Sequence, residues 1–180
     1  MIWESHYWKK DLARLADCLR KRARQRQWSE RSLAKMEKEV FIGFYSLRKL
    51  LEGKKLSGKV VNRVIPADSF SYTGSQRITL LNWNTRVADA FAFDKPKKIN
   101  LPIMFLCNQV IHSYVYKEVF DEEGLLTGIF ISSDREKTRK LYFVAVTELI
   151  GLFTRIGKDY PSSREYQFDP NTDDYIVRNW

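Results

Sequence analysis

Histidine and cysteine are scarce in this chain, at two residues each: His6 and His112, Cys18 and Cys107. Two cysteines so far apart, with no paired spacing, exclude a disulfide framework and a zinc knuckle. With only two histidines besides, and no ligand spacing among the four residues, a Cys/His metal cluster is not expected, and neither is a cofactor. Glycine and proline are also low, at eight and five of 180 residues, and 44% of the chain is hydrophobic. That composition excludes long disorder and fits one globular domain. No apolar run is long enough to span a bilayer. The opening stretch MIWESHYWKKDL carries an acid and a histidine where a signal peptide needs apolar residues, so a cytoplasmic chain is expected. Glycine-rich phosphate loops, nucleophile elbows and paired-carboxylate spacings are absent, as are internal repeats.

Positive charge is plentiful but uneven. The net formal charge is +9, and residues 1–63 hold 17 Lys and Arg against 7 Asp and Glu. Residues 64–180 hold 14 against 15. The excess is densest in RKRARQR, where Arg20, Lys21, Arg22, Arg24 and Arg26 form a candidate nucleic-acid-binding run. Such a run attracts phosphate through charge and counterion release. It is equally the composition of a solvated helix end, where cations suit the helix dipole.

Apolar residues at helical spacing predict a first helix over about 3–26 (Trp8, Leu12, Leu15, Leu19). Ser29 is a good N-cap, with Trp28 and Leu33 placed as a hydrophobic staple, for a second helix running to about Glu52. The two should form an antiparallel hairpin. Residues 54–99 read as a long connection packed over the helices, with Arg77–Trp83 as a short strand and 85–93 as a short helix. A third helix is expected from Asn100, apolar nearly all round and therefore central. The runs SYVYKEVF, GLLTGIFIS and LYFVAV predict an antiparallel meander, and Thr147 should cap a final helix. The acids at 121–123 belong to a hairpin turn.

Within FLCNQVIHSYVY, Asn108 and His112 lie four residues apart and share a helical face. Together with Tyr114 they resemble the R-x-x-x-x-H signature of the HEPN superfamily, in which Asn often follows the Arg and Tyr lies two residues after the His. The resemblance extends to a helical hairpin, a motif helix and a last helix. It implies a mainly α (α+β) fold, a HEPN-like helical bundle over 1–160 in which the β meander near 114–146 is an unmatched insertion, while the polar composition of 161–180 predicts a surface-lying tail. It also implies metal-independent RNA cleavage at a homodimer groove, in a toxin–antitoxin or phage-defence setting with an antitoxin or nucleotidyltransferase partner. Asn108 and His112 would be catalytic. Tyr114 matches a residue that is a modification target in toxins paired with a nucleotidyltransferase, although by its own sequence it starts a β-strand.

The motif Arg, however, is replaced by Cys107. A thiol supplies neither the fixed charge nor the forked donors that a phosphate needs. It also lies five residues from His112, about 140° round a helix. Weakened or lost cleavage is therefore expected, unless another cation substitutes, and Arg48 in FYSLRKLLE is the candidate. Two readings stand beside this one. The chain could be a non-catalytic interaction module presenting the aromatic meander, or a charge-driven, non-specific nucleic-acid binder.

Overall fold

The computed structural model describes residues 2–180. It is an α+β fold built around a five-stranded, wholly antiparallel sheet. The mainly helical bundle expected from the sequence is thereby corrected: 39% of residues are helical and 28% are in strands. The elements run α1 (Ser5–Arg22), α2 (Glu30–Glu52), α3 (Gly58–Val61), β1 (Val64–Ser71), α4 (Val87–Ala90), β2 (Lys97–Pro102) and α5 (Ile103–Ile111). They continue with β3 (Ser113–Phe120), β4 (Leu126–Ser133), β5 (Lys140–Ala145), α6 (Val146–Gly157), β6 (Arg164–Asp169) and β7 (Asp174–Asn179).

α1 and α2 run antiparallel, with Arg22 and Cys18 against Glu39 and Leu15 against Gly43. The turn between them is closed by a capping box. Ser32 N donates to Ser29 Oγ at 3.2 Å, and Ser29 N donates to Ser32 Oγ at 3.0 Å. Trp28 anchors the entry by donating its Nε1 to Gly124 O at 3.1 Å. Loss of an N-cap hydroxyl typically costs about 1 kcal/mol. Ser29→Ala should therefore lower the urea midpoint without changing the slope of the transition.

α1 also packs antiparallel on α6. A Cβ on Gly157 would lie 2.7 Å from that of Ala13, so only glycine permits this approach. Lys9 is buried at this junction, its ammonium donating to Lys55 O at 2.8 Å and to Asp159 O. Burial pushes its pKa down, opposed by Asp159.

The sheet order is β2-β1-β5-β4-β3. The expected meander of β3, β4 and β5 is therefore not an insertion but most of the sheet. Residues 54–99 are not merely a connection, because they supply β1 and the first residues of β2 and so complete it. Arg77–Trp83 forms turns rather than a strand, and Asn100 lies in β2, so α5 begins only at Ile103. Thr147 lies inside α6, whose N-cap is Ala145. The C-terminal segment forms the β6–β7 ribbon, tied down where Asn179 Nδ2 donates to Lys54 O and Leu56 O, both at 2.9 Å.

Strand alternation gives the sheet two apolar faces. Ile129, Ile131, Tyr142 and Val144 face the four long helices in the main core. Val115, Phe130, Leu141 and Phe143 face a second core, closed by Ile78, Val87 and Phe91. The meander aromatics Tyr114, Tyr116, Phe120, Phe130, Tyr142 and Phe143 thus pack on one core or the other.

Glu118 on β3 is half-buried near Glu37. Burial first, then the Glu37 charge, raises its carboxyl pKa above the ordinary range. The folded state then holds this proton more tightly than the unfolded state. The cost is full above the folded pKa and disappears as pH falls below the unfolded one. Glu118→Gln should raise the thermal midpoint at pH 7, and the gain should vanish towards pH 4.

Candidate functional site

Three elements meet at one end of α5: the last turns of α2, the C-terminus of α5 and the β4–β5 loop. The loop is held by two hydrogen bonds. Ser133 N donates to the buried Gln109 Oε1 at 2.9 Å, and Asp134 N donates to His112 O at 3.2 Å. Between these elements lies a crevice of about 540 Å³, lined by Arg48, Phe105, Asn108 and His112, with Arg135 and Glu136 opposite.

His112 is the C-cap of α5 rather than a residue of its interior, and it is exposed. Asn108, one turn earlier, is half-buried. Arg48 reaches both from α2. Its Nη1 donates to Asn108 Oδ1 at 3.1 Å and lies 3.3 Å from His112 Nε2. A guanidinium only donates, so a hydrogen bond across this contact requires Nε2 as the acceptor. Glu52 accepts from Arg48 Nε at 2.7 Å and fixes the fork from behind. The Glu52 carboxyl is held below its ordinary range by the hydrogen bond from Lys49 and then by that from Arg48. Nη2 of Arg48 makes no hydrogen bond among the described residues, and the side chain is only 30% exposed.

The structure thus brings together Asn108, His112 and Arg48. It leaves Cys107 out. That side chain is fully buried in the main core, and burial pushes its thiol up to about 12, opposed by the charge of Arg48. A thiol so protonated is neither nucleophile nor phosphate ligand. Tyr114 is also apart. It lies in β3 at a register shift, packs on the second core, and carries Lys137 Nζ 3.5 Å over its ring.

The basic run is divided. Arg22 is committed to Glu39 at 3.5 Å and to Ser32 O. Arg26 pairs with Glu123 at 2.9 Å. Arg20, Lys21 and Arg24 line a separate open groove with Asp17.

Sequence reasoning missed Arg135, which faces the crevice and makes no ion pair among the described residues. It lies in SDREKTRK, where nothing distinguishes it from any other turn cation. The crevice is not strongly positive, because Asp134 and Glu136 line it too. Both acids are engaged, Asp134 by Lys137 at 2.7 Å and Glu136 by the Tyr142 hydroxyl at 3.0 Å.

Among the described residues there is no cluster of three or more potential metal ligands, and no helix is long and apolar enough to cross a membrane. Comparison with known proteins finds no matching family model, no matching curated protein and no matching solved structure.

Proposed function

We propose that the Arg48–Asn108–His112 crevice binds an RNA phosphodiester and cleaves it slowly by a metal-independent route. One observation carries this reading: an arginine from another helix stands within hydrogen-bonding distance of both motif residues, supplying the cation that Cys107 does not. The resemblance of Asn108, His112 and Tyr114 to the HEPN signature supports it, and so does the engagement of the neighbouring carboxylates.

In the proposed reaction a phosphate draws the Arg48 fork away from His112 and accepts its Nη groups. The freed Nε2 takes the proton of the ribose 2′-hydroxyl. The 2′-oxygen attacks the adjacent phosphorus, the P–O5′ bond breaks, and the 5′-oxygen leaves with a proton from solvent. The products are a 2′,3′-cyclic phosphate and a 5′-hydroxyl. Arg48 stabilises the charge that builds on the phosphate oxygens, where fixed donors act most strongly. Asn108 orients Arg48. The setting proposed is cytoplasmic. As the resemblance implies, a second copy of the chain would face the crevice and an antitoxin or nucleotidyltransferase would serve as partner.

The test is incubation of single-stranded RNA with the protein in excess EDTA, followed by analysis of the product ends. Cyclic phosphate ends in the wild type, and a loss of about 10²–10³-fold in Arg48→Ala, are expected. Intact RNA in every lane rules the reading out.

A further inference from the structure

The crevice sets two carboxylates beside its two guanidinium groups, so a polyanion gains more charge attraction from a surface whose cations are unopposed. Such a surface is present. α3, α6 and the end of α1 enclose a groove of about 520 Å³, which shares no lining residue with the crevice. Lys59, Arg63, Arg155 and Lys158 line it, and none makes an ion pair among the described residues. Its single carboxylate, Asp159, is occupied. Ser57 N donates to its Oδ2 at 2.8 Å and Ser57 Oγ to its Oδ1 at 2.5 Å.

Arg20 lines this groove as well as the neighbouring one that holds Lys21 and Arg24, so the two adjoin at that side chain. The Arg20 guanidinium is fixed by Thr154 Oγ1 and by Asp17, and it in turn neutralises Asp17, the other acid on the path. The floor is open, because a Cβ on Gly151 would meet nothing within 4 Å.

We infer that this α1–α3–α6 groove is the track for the sugar–phosphate backbone of single-stranded RNA. Lys59, Arg63, Arg155 and Lys158 are the residues this adds to the basic run of α1. These four cations come from the α3 segment and from α6, no ion pair engages them among the described residues, and the acids beside them are withdrawn. A merely solvated helix face does not require that pattern. The inference rests on the reading that RNA is the substrate, but it is measured by binding and not by cleavage.

The test is the anisotropy of a labelled single-stranded oligoribonucleotide over about 50 to 200 mM salt, in a His112→Ala background so that the strand stays intact. Each phosphate contact on a single strand contributes about 0.7 to the slope of log affinity against log salt. Combined Lys59→Ala, Arg155→Ala and Lys158→Ala should flatten the slope by about 2. Gly151→Glu places a carboxylate in the groove without crowding it, and should weaken binding severalfold with the thermal midpoint unchanged or raised. Gly151→Ala should bind like its parent.

An unchanged slope in the triple variant, with Gly151→Glu binding normally, overturns the groove and leaves the crevice reading standing. Groove-dependent binding beside a wild type that never cuts RNA supports the groove and removes the crevice reading. Capture of the protein by phosphatidylserine vesicles but not by RNA, lost in the same variants, overturns the assignment of RNA.

Discussion

Replacing His112 with alanine should reduce metal-free RNA cleavage by about 10²–10⁴-fold, the usual contribution of one positioned general base. The loss should be chemical rather than structural. His112 is exposed, follows the last residue of α5, and belongs to neither core. Substitutions at such sites usually move stability by no more than about 0.5 kcal/mol. Its backbone contacts, the N–H to Asn108 O at 3.1 Å and the carbonyl to Asp134 N, survive the change. The thermal midpoint of His112→Ala should therefore match that of the wild type. A parallel fall in cleavage and midpoint would mean that the ring is a structural plug.

The second large effect runs against intuition. Cys107→Arg introduces the residue that the HEPN signature carries at the matching position, yet it should destabilise the fold by about 3–5 kcal/mol and add no activity. The Cys107 side chain has no exposed surface and sits in the main core between α5, α2 and the sheet. A guanidinium there is desolvated and adds bulk to a close-packed interior. That cost is a large share of the roughly 5–15 kcal/mol typical of a domain. Urea unfolding measures it, with Cys107→Ser as the small polar control. A Cys107→Arg protein as stable as the wild type and more active would show that Cys107 faces the crevice after all.

Both expectations depend on what the chain shows before it folds and what it hides. α1 and α2 were legible because their apolar residues recur every 3.6 positions and Ser29 marks a start. The meander was legible because its three runs are rich in β-branched and aromatic residues, with DEEG closing a hairpin. β1 and β2 were not. VIPADSFS carries Pro66 and polar residues that argue against a strand. The structure resolves this through register. β1 bonds to β5 only over Asp68–Ser71, so Pro66 sits where β1 has a partner on one side alone. KKINLP is an edge strand, where lysines and a proline are tolerated. Without those two strands, the meander reads as an insertion and the chain as a bundle.

At the site the same division holds. Asn108 and His112 were visible because helical spacing alone aligns them. Arg48 could be named but not placed, since 60 residues separate it from Asn108. It lies one position off the core stripe of Leu47 and Leu51, with Glu52 one turn on, and that pattern is compatible with solvent as readily as with a crevice. Only the docking of α5 against α2 decides between them.

The account stands on Arg48 and His112 acting as one unit on one phosphate. A double-mutant cycle on metal-free cleavage measures this directly. Residues that act as a unit are strongly non-additive. The Arg48→Ala/His112→Ala protein should therefore cleave no more slowly than the worse of its two single variants. Losses that multiply across the two sites, or a wild type that leaves RNA intact, would contradict it.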